Sequence, residues 1–167
     1  MNRRHFLKTS VAAGIATGTG VPAYAATRTA TDLVTLGNSG VKVTRLALGT
    51  GTFGGRVQRE LGQPEFTRVV RHAYDRGIRF FETADSYKGM PQMLAEALKG
   101  VPRDSYKLMT KMRWRGEENP TATLDRFRKD LNTDYFDIVL IHCVRQPGWA
   151  RELEPMRDAF SEAKQKK

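Results

Sequence analysis

The chain has 167 residues and a formal charge of +10, with 40% hydrophobic and 28% charged residues. That is enough chain and enough apolar surface for one folded domain, and it excludes wholesale disorder. A single cysteine, Cys143, excludes a disulfide within the chain and a four-thiolate metal site, and no metal is expected. The basic residues are scattered apart from the amino terminus and a final "KQKK". No zinc-ligand set or aromatic stacking motif accompanies them, so the charge reads as a solvated surface and no nucleic-acid partner is expected.

In chain order, residues 1–25 read as a twin-arginine export signal. Arg3 and Arg4 precede a mildly apolar run, Val11 to Val21, and then Ala23-Tyr24-Ala25, which has the small-x-small form of a signal-peptidase site. The run is too short and too rich in glycine for a permanent anchor. The expectation is cleavage after Ala25, a periplasmic location and no membrane contact thereafter.

A polar linker, 26–32, leads to two β-prone runs, Leu33–Leu36 and Val41–Thr44, around Gly37-Asn38-Ser39-Gly40, a hairpin. "RLALGT" reads as a strand ending in glycines. The "GTGTFGG" that overlaps its end lacks the P-loop lysine and the full dinucleotide spacing, and is read as a flexible substrate loop. A helix follows with Pro64 at its first position, Phe66, Val69, Val70, Ala73 and Tyr74 at helical spacing, and Gly77 as C-cap.

"IRFFE" is the next strand, and a short helix with Pro91, Leu94, Ala97 and Leu98 closes at Gly100. "YKLMTKM" is a third strand. Asn119-Pro120 starts a helix with Leu124, Phe127 and Leu131 on one face, and "YFDIVLIH" is the fourth and most apolar strand. From Trp149 a last helix presents Leu153, Met156, Phe160 and Ala163. Strands alternating with helices predict an α/β fold with parallel pairing, whose apolar strands are expected to be buried on both faces.

Parallel strands end on one edge. Glu82, Lys111 and His142 close three neighbouring strands, and Tyr87 lies in the loop just after the first. That edge is where α/β barrels place their chemistry. A lysine ammonium beside a phenol favours the phenolate, which is expected to lower the Tyr87 pKa and sharpen it as a general acid. A carboxylate would hold the lysine charged, and the imidazole could orient a substrate oxygen. The set suits reduction of a small-molecule carbonyl, and since none of the four groups carries a hydride, a cofactor is implied.

With "LGNSGVKVTRLALGTGTFGG", "GIRFFETADSY", "KLMTKM" and "YFDIVLIH" together, residues 33–167 resemble the N-terminal half of an aldo/keto reductase. The resemblance implies a (β/α)8 barrel of the TIM type, a nicotinamide cofactor (NADPH, with NADH as the alternative), and an Asp-Tyr-Lys-His catalytic set. Tyr87 matches the proton donor, Lys111 its partner and His142 the substrate-orienting imidazole. Gly49, Thr50 and Gly51 match the end of the first barrel strand near the nicotinamide.

The sequence departs from the family pattern in two places. Glu82 stands where the family has aspartate, and its extra methylene can be absorbed by a rotamer or can push the ammonium away from the phenol. Asp85 is a less suitable substitute because it belongs to the turn. Only four β/α units follow the hairpin, whereas a typical barrel runs to about 250 residues and binds phosphate after strands seven and eight. Residues 26–167 alone are therefore expected to associate through an open half-barrel and not to reduce carbonyls. The alternative reading is a non-catalytic half-barrel or degenerate remnant that pairs with another chain.

Three further residues have plain readings. Cys143 is expected to be a small buried residue, and His72 a surface residue. Trp114 lines either a pocket or the core.

Overall fold

A computed structural model describes residues 27–113, 119–145 and 147–166. The expected export signal at 1–25 and Trp114 therefore lie outside the described residues.

The hairpin forms as expected. β1 (Leu33–Thr35) and β2 (Lys42–Thr44) pair antiparallel, with Val34 opposite Val43. Gly37 and Gly40 take positive φ, which the turn needs and glycine supplies without strain. Val43 and Thr44 are buried, and the Thr44 hydroxyl accepts from the Arg79 N–H at 3.1 Å. The hairpin is thereby fastened just before the strand Phe80–Glu82, at the amino end of the main sheet, and the carboxyl edge is left free.

That sheet contains β3 (Leu48–Gly49), β4 (Phe80–Glu82), β5 (Lys107–Met112) and β6 (Ile138–Ile141) in sequential order. Every neighbouring pair is parallel. The connections are α1 (Arg56–Glu60) with α2 (Gly62–Asp75), then α3 (Met90–Leu98), then α4 (Pro120–Asp130). α5 (Trp149–Glu152) and α6 (Glu154–Gln165) follow β6. These are the four expected β/α units of a parallel barrel.

Sequence signals explain most boundaries. Asn119 caps α4, its Oδ1 accepting from the Thr121 and Ala122 N–H groups at 2.9 and 3.2 Å, and Pro120 occupies the first turn, where its missing N–H costs nothing. Two boundaries differ from expectation. α2 begins at Gly62, so Pro64 is its third residue, and the loop before it contains α1, which no periodicity marks in only five residues.

Strand alternation sets two faces. Phe81, Leu108 and Met112 point into one core with Phe66 and Val70 of α2, Leu94 and Leu98 of α3, Leu124 and Phe127 of α4, and Met156 of α6. The residues between them, among them Glu82, Met109, Lys111 and Leu140, lie on the opposite face. Burial on both faces was expected and is not found. β5 alternates between buried and partly exposed residues, and Leu140 of β6 is 42% exposed. The helices cover one face only, and the apolar run at 138–141 is at most partly buried, with Val139 and Ile141 packed against the core and Leu140 exposed.

The amino ends of β5 and β6 are joined by a buried carboxylate. The Asp137 side chain is 7% exposed and accepts from Arg103 Nη2 at 2.8 Å, Lys107 Nζ at 2.9 Å and the Leu108 N–H at 3.0 Å. Arg103 also donates to the Tyr135 carbonyl and stacks over the Tyr135 ring, 3.9 Å from its centroid. Burial alone would raise the Asp137 carboxyl, but the donors from Lys107, Leu108 and Arg103 outweigh it and hold the group below the usual carboxylate range.

Candidate active site

The parallel register assembles the site. Glu82 ends β4 and pairs with Gly49 of β3 on one side and Met109 of β5 on the other. Lys111 lies two residues beyond Met109, so it shares a face with Glu82 and lies one step further toward the carboxyl edge. His142 follows β6 directly, and its N–H donates to the Met112 carbonyl at 2.8 Å. The loop after β4 brings in Tyr87. Backbone bonds fix that loop: Asp85 N–H to the Lys111 carbonyl at 3.1 Å, Tyr87 N–H to the Ala84 carbonyl at 3.1 Å, and Met90 N–H to the Tyr87 carbonyl at 2.9 Å.

All four expected side chains meet. Lys111 forms an ion pair with Glu82 and donates to the Thr83 carbonyl at 3.2 Å. Its ammonium lies 4.9 Å from the centroid of the Tyr87 ring. The Tyr87 and His142 rings meet edge to face, 5.6 Å apart and at 86°. The Ser86 hydroxyl contacts His142 Nδ1 at 3.1 Å, which orients the imidazole. The glutamate therefore reaches the lysine without breaking the cluster. Among the described residues, no group of His, Cys, Asp and Glu could hold a metal ion.

Electrostatics correct one expectation. The Tyr87 phenol is raised, not lowered, because it is partly buried. The ammonium lies over the ring, drawn between the Glu82 carboxylate and the Thr83 carbonyl. Burial pushes Lys111 itself down to about 8. His142 is also lowered, first by burial and then by the Lys111 charge. At neutral pH the site therefore holds a protonated phenol beside a neutral imidazole.

Residues 45–166 match the aldo/keto reductase family model. The chain belongs to the aldo/keto reductase family. An L-galactose dehydrogenase of Arabidopsis thaliana is 34% identical over 123 residues, which are 67% of this chain and 37% of that protein. A probable aldo-keto reductase of Glycine max is 32% identical over 80 residues, 47% of this chain and 23% of its own length. A solved putative aldo-keto reductase from Pseudomonas aeruginosa superposes with a TM-score of 0.69 at 25% identity, over 84% of this chain and 58% of that one. The chain thus spans less than two thirds of the aldo/keto reductases it matches. The solved relatives are TIM barrels, and this chain has the fold of their first β/α units.

The glycines assigned to the cofactor occupy unexpected surroundings. Gly49 backs onto the Glu82 carboxylate and Gly51 onto the Tyr87 ring. Thr50 is fully buried and its hydroxyl donates to Thr83 Oγ1 at 3.0 Å.

The loop expected to be flexible is a hydrogen-bonded turn. Arg59 Nη1 of α1 donates to the Gly54 carbonyl at 3.0 Å and the Lys88 carbonyl at 2.8 Å, clasping this loop to the one that carries Tyr87. Cys143, expected to be buried, is exposed with φ 56°, because the chain turns sharply away from the sheet after His142. His72 is exposed as expected. Ser86 and Arg59 were missed. Ser86 could have been suspected from its place next to Tyr87, whereas nothing local marks Arg59.

Proposed function

We propose that the whole protein reduces an aldehyde or ketone with NAD(P)H, using Tyr87 as general acid. The observation that carries this reading is the meeting of Tyr87, Lys111, His142 and Glu82 at the carboxyl edge of parallel strands in an aldo/keto reductase. Burial keeps the phenol protonated until charge develops on the substrate oxygen, at which point the proton transfers to an alkoxide far more basic than phenolate. His142, lowered toward its neutral form and held at Nδ1 by Ser86, offers Nε2 to the same oxygen. Lys111, fixed by Glu82, places positive charge over the ring and stabilises the phenolate that remains.

This donor set supplies protons and charge but no hydride, so it fits a nicotinamide, which would contribute the hydride when bound. The space directly over Gly49 and Gly51 is taken by Glu82 and Tyr87. The chain's contact with the nicotinamide would therefore fall to the backbone at Gly49 and Gly51, which keep some exposure, rather than to the buried Thr50. The proposal is tested by NADPH oxidation with simple aldehydes. Glu82→Asp is expected to retain or raise turnover, since the shorter carboxylate still reaches Lys111. A loss of a hundredfold or more, the scale of a displacement near 1 Å, would show that the longer side chain is required.

A non-catalytic chain that pairs with another is the second reading, favoured by the uncovered second face at Leu140 and by a groove along β6. Leu36, Val41, Leu124, Phe136, Ile138 and Phe160 line that groove. Exposed edges and apolar patches favour association. Residues 26–167 alone are expected to associate under either reading, so light scattering with an NADPH titration tests the second by its failure: a monomer that binds NADPH and reduces aldehydes excludes it.

We also propose twin-arginine export to the periplasm, on the strength of Arg3, Arg4 and the Ala-Tyr-Ala site. Replacing both arginines with lysine is expected to retain the protein in the cytoplasm, as fractionation would report. Unchanged export would exclude this route.

A further inference from the structure

We infer that Gly49 and Gly51 are positioning residues that make room for the Glu82 carboxylate and the Tyr87 phenol. Neither glycine takes a positive φ, so backbone conformation does not demand glycine at either position. The demand is spatial. A Cβ on Gly49 would lie 2.9 Å from Glu82 Oε2. One on Gly51 would lie 2.5 Å from Cζ, 2.6 Å from the hydroxyl and 2.7 Å from Cε2 of Tyr87. Packed carbon atoms approach to about 3.5–4.0 Å, so in both cases something must move.

In both cases the atom met is the far end of a side chain rather than backbone. The fold can yield by swinging that side chain, and the group that swings is the one the chemistry uses. Register links the two sites, because Gly49 is the strand partner of Glu82. The bare Cα at 49 gives the longer glutamate a place to lie while its other oxygen meets Lys111. Gly51 does the same for the phenol, whose ring also faces the Lys111 ammonium and the edge of His142. An alanine at either position should leave the chain folded and misplace its chemistry.

The catalytic consequence rests on the carbonyl-reduction reading, but the test does not require turnover. Ultraviolet titration, taken as the difference from the corresponding Tyr87→Phe protein, should place the Tyr87 midpoint above about 10 in the wild-type chain. Gly51→Ala should return it to about 10 as the displaced phenol regains water. Acylation of Lys111 at pH 7, quantified by mass spectrometry, should rise on the order of fivefold in Gly49→Ala, because an amine deprived of its carboxylate is more often neutral.

Adding Glu82→Asp to Gly49→Ala should restore wild-type labelling, since the shorter side chain clears the new Cβ. An unmoved phenol midpoint in Gly51→Ala would overturn the inference. So would labelling in Gly49→Ala that is unchanged or that Glu82→Asp does not reverse, and so would loss of the folded state in either alanine variant. If the phenol titration and the lysine labelling both behave as expected and no aldehyde is reduced, the proposed function fails and the positioning roles stand.

Discussion

Tyr87→Phe is expected to lower carbonyl reduction by about 10²- to 10⁴-fold, the range a positioned general acid contributes. The substitution removes one oxygen and keeps the ring, so the edge contact with His142 and the Lys111 ammonium over the ring face should persist. Cofactor affinity and melting temperature should therefore change little, and the loss should appear in kcat rather than in binding. Steady-state kinetics with NADPH and a simple aldehyde, together with a cofactor fluorescence titration, separate the two effects. Equal turnover in Tyr87→Phe would remove tyrosine as the acid and leave His142 as the candidate.

The second large effect concerns stability. Asp137→Ala is expected to cost about 3 kcal/mol, because it leaves Arg103, the Leu108 N–H and Lys107 without their common acceptor. Lys107 is the more exposed cation and can turn to water, so the cost falls mainly on the other two donors. The sign of the pH dependence follows from the lowered carboxyl. A carboxyl depressed in the folded state contributes stability that is complete above its unfolded value of about 3.9 and is lost as pH falls through its folded value. Urea unfolding at pH 7 and again in acid below the folded value of the carboxyl checks both points: the gap between wild type and Asp137→Ala should be wide at the first and narrow at the second. A gap that does not change with pH would mean that the carboxylate charge is not what holds β5 to β6.

The strand ends were legible in the sequence for a physical reason. Parallel pairing forces the carboxyl ends of β4, β5 and β6 onto one edge, so Glu82, Lys111 and His142 could be brought together without knowing any distance. Three features could not be read in this way. The ammonium's place over the Tyr87 ring depends on competition between the Glu82 carboxylate, the Thr83 carbonyl and the phenol, which spacing does not encode. The roles of Gly49 and Gly51 depend on what lies across the strand and the loop, and a glycine motif alone looks the same beside a phosphate or beside a phenol. The exposure of Leu140 reflects its position on the last strand in the order, which an apolar run does not reveal.

The most direct test of the account follows a deuterium atom. The whole protein is incubated with NADPH deuterated at the transferring position of C4 and an aromatic aldehyde, and the alcohol is analysed by mass spectrometry. The account predicts one deuterium at the carbinol carbon with the wild-type protein, and product reduced by about 10²-fold or more with Tyr87→Phe. A folded, cofactor-saturated protein that transfers no deuterium to any aldehyde or ketone offered, or one that transfers it equally well without the Tyr87 hydroxyl, would contradict it.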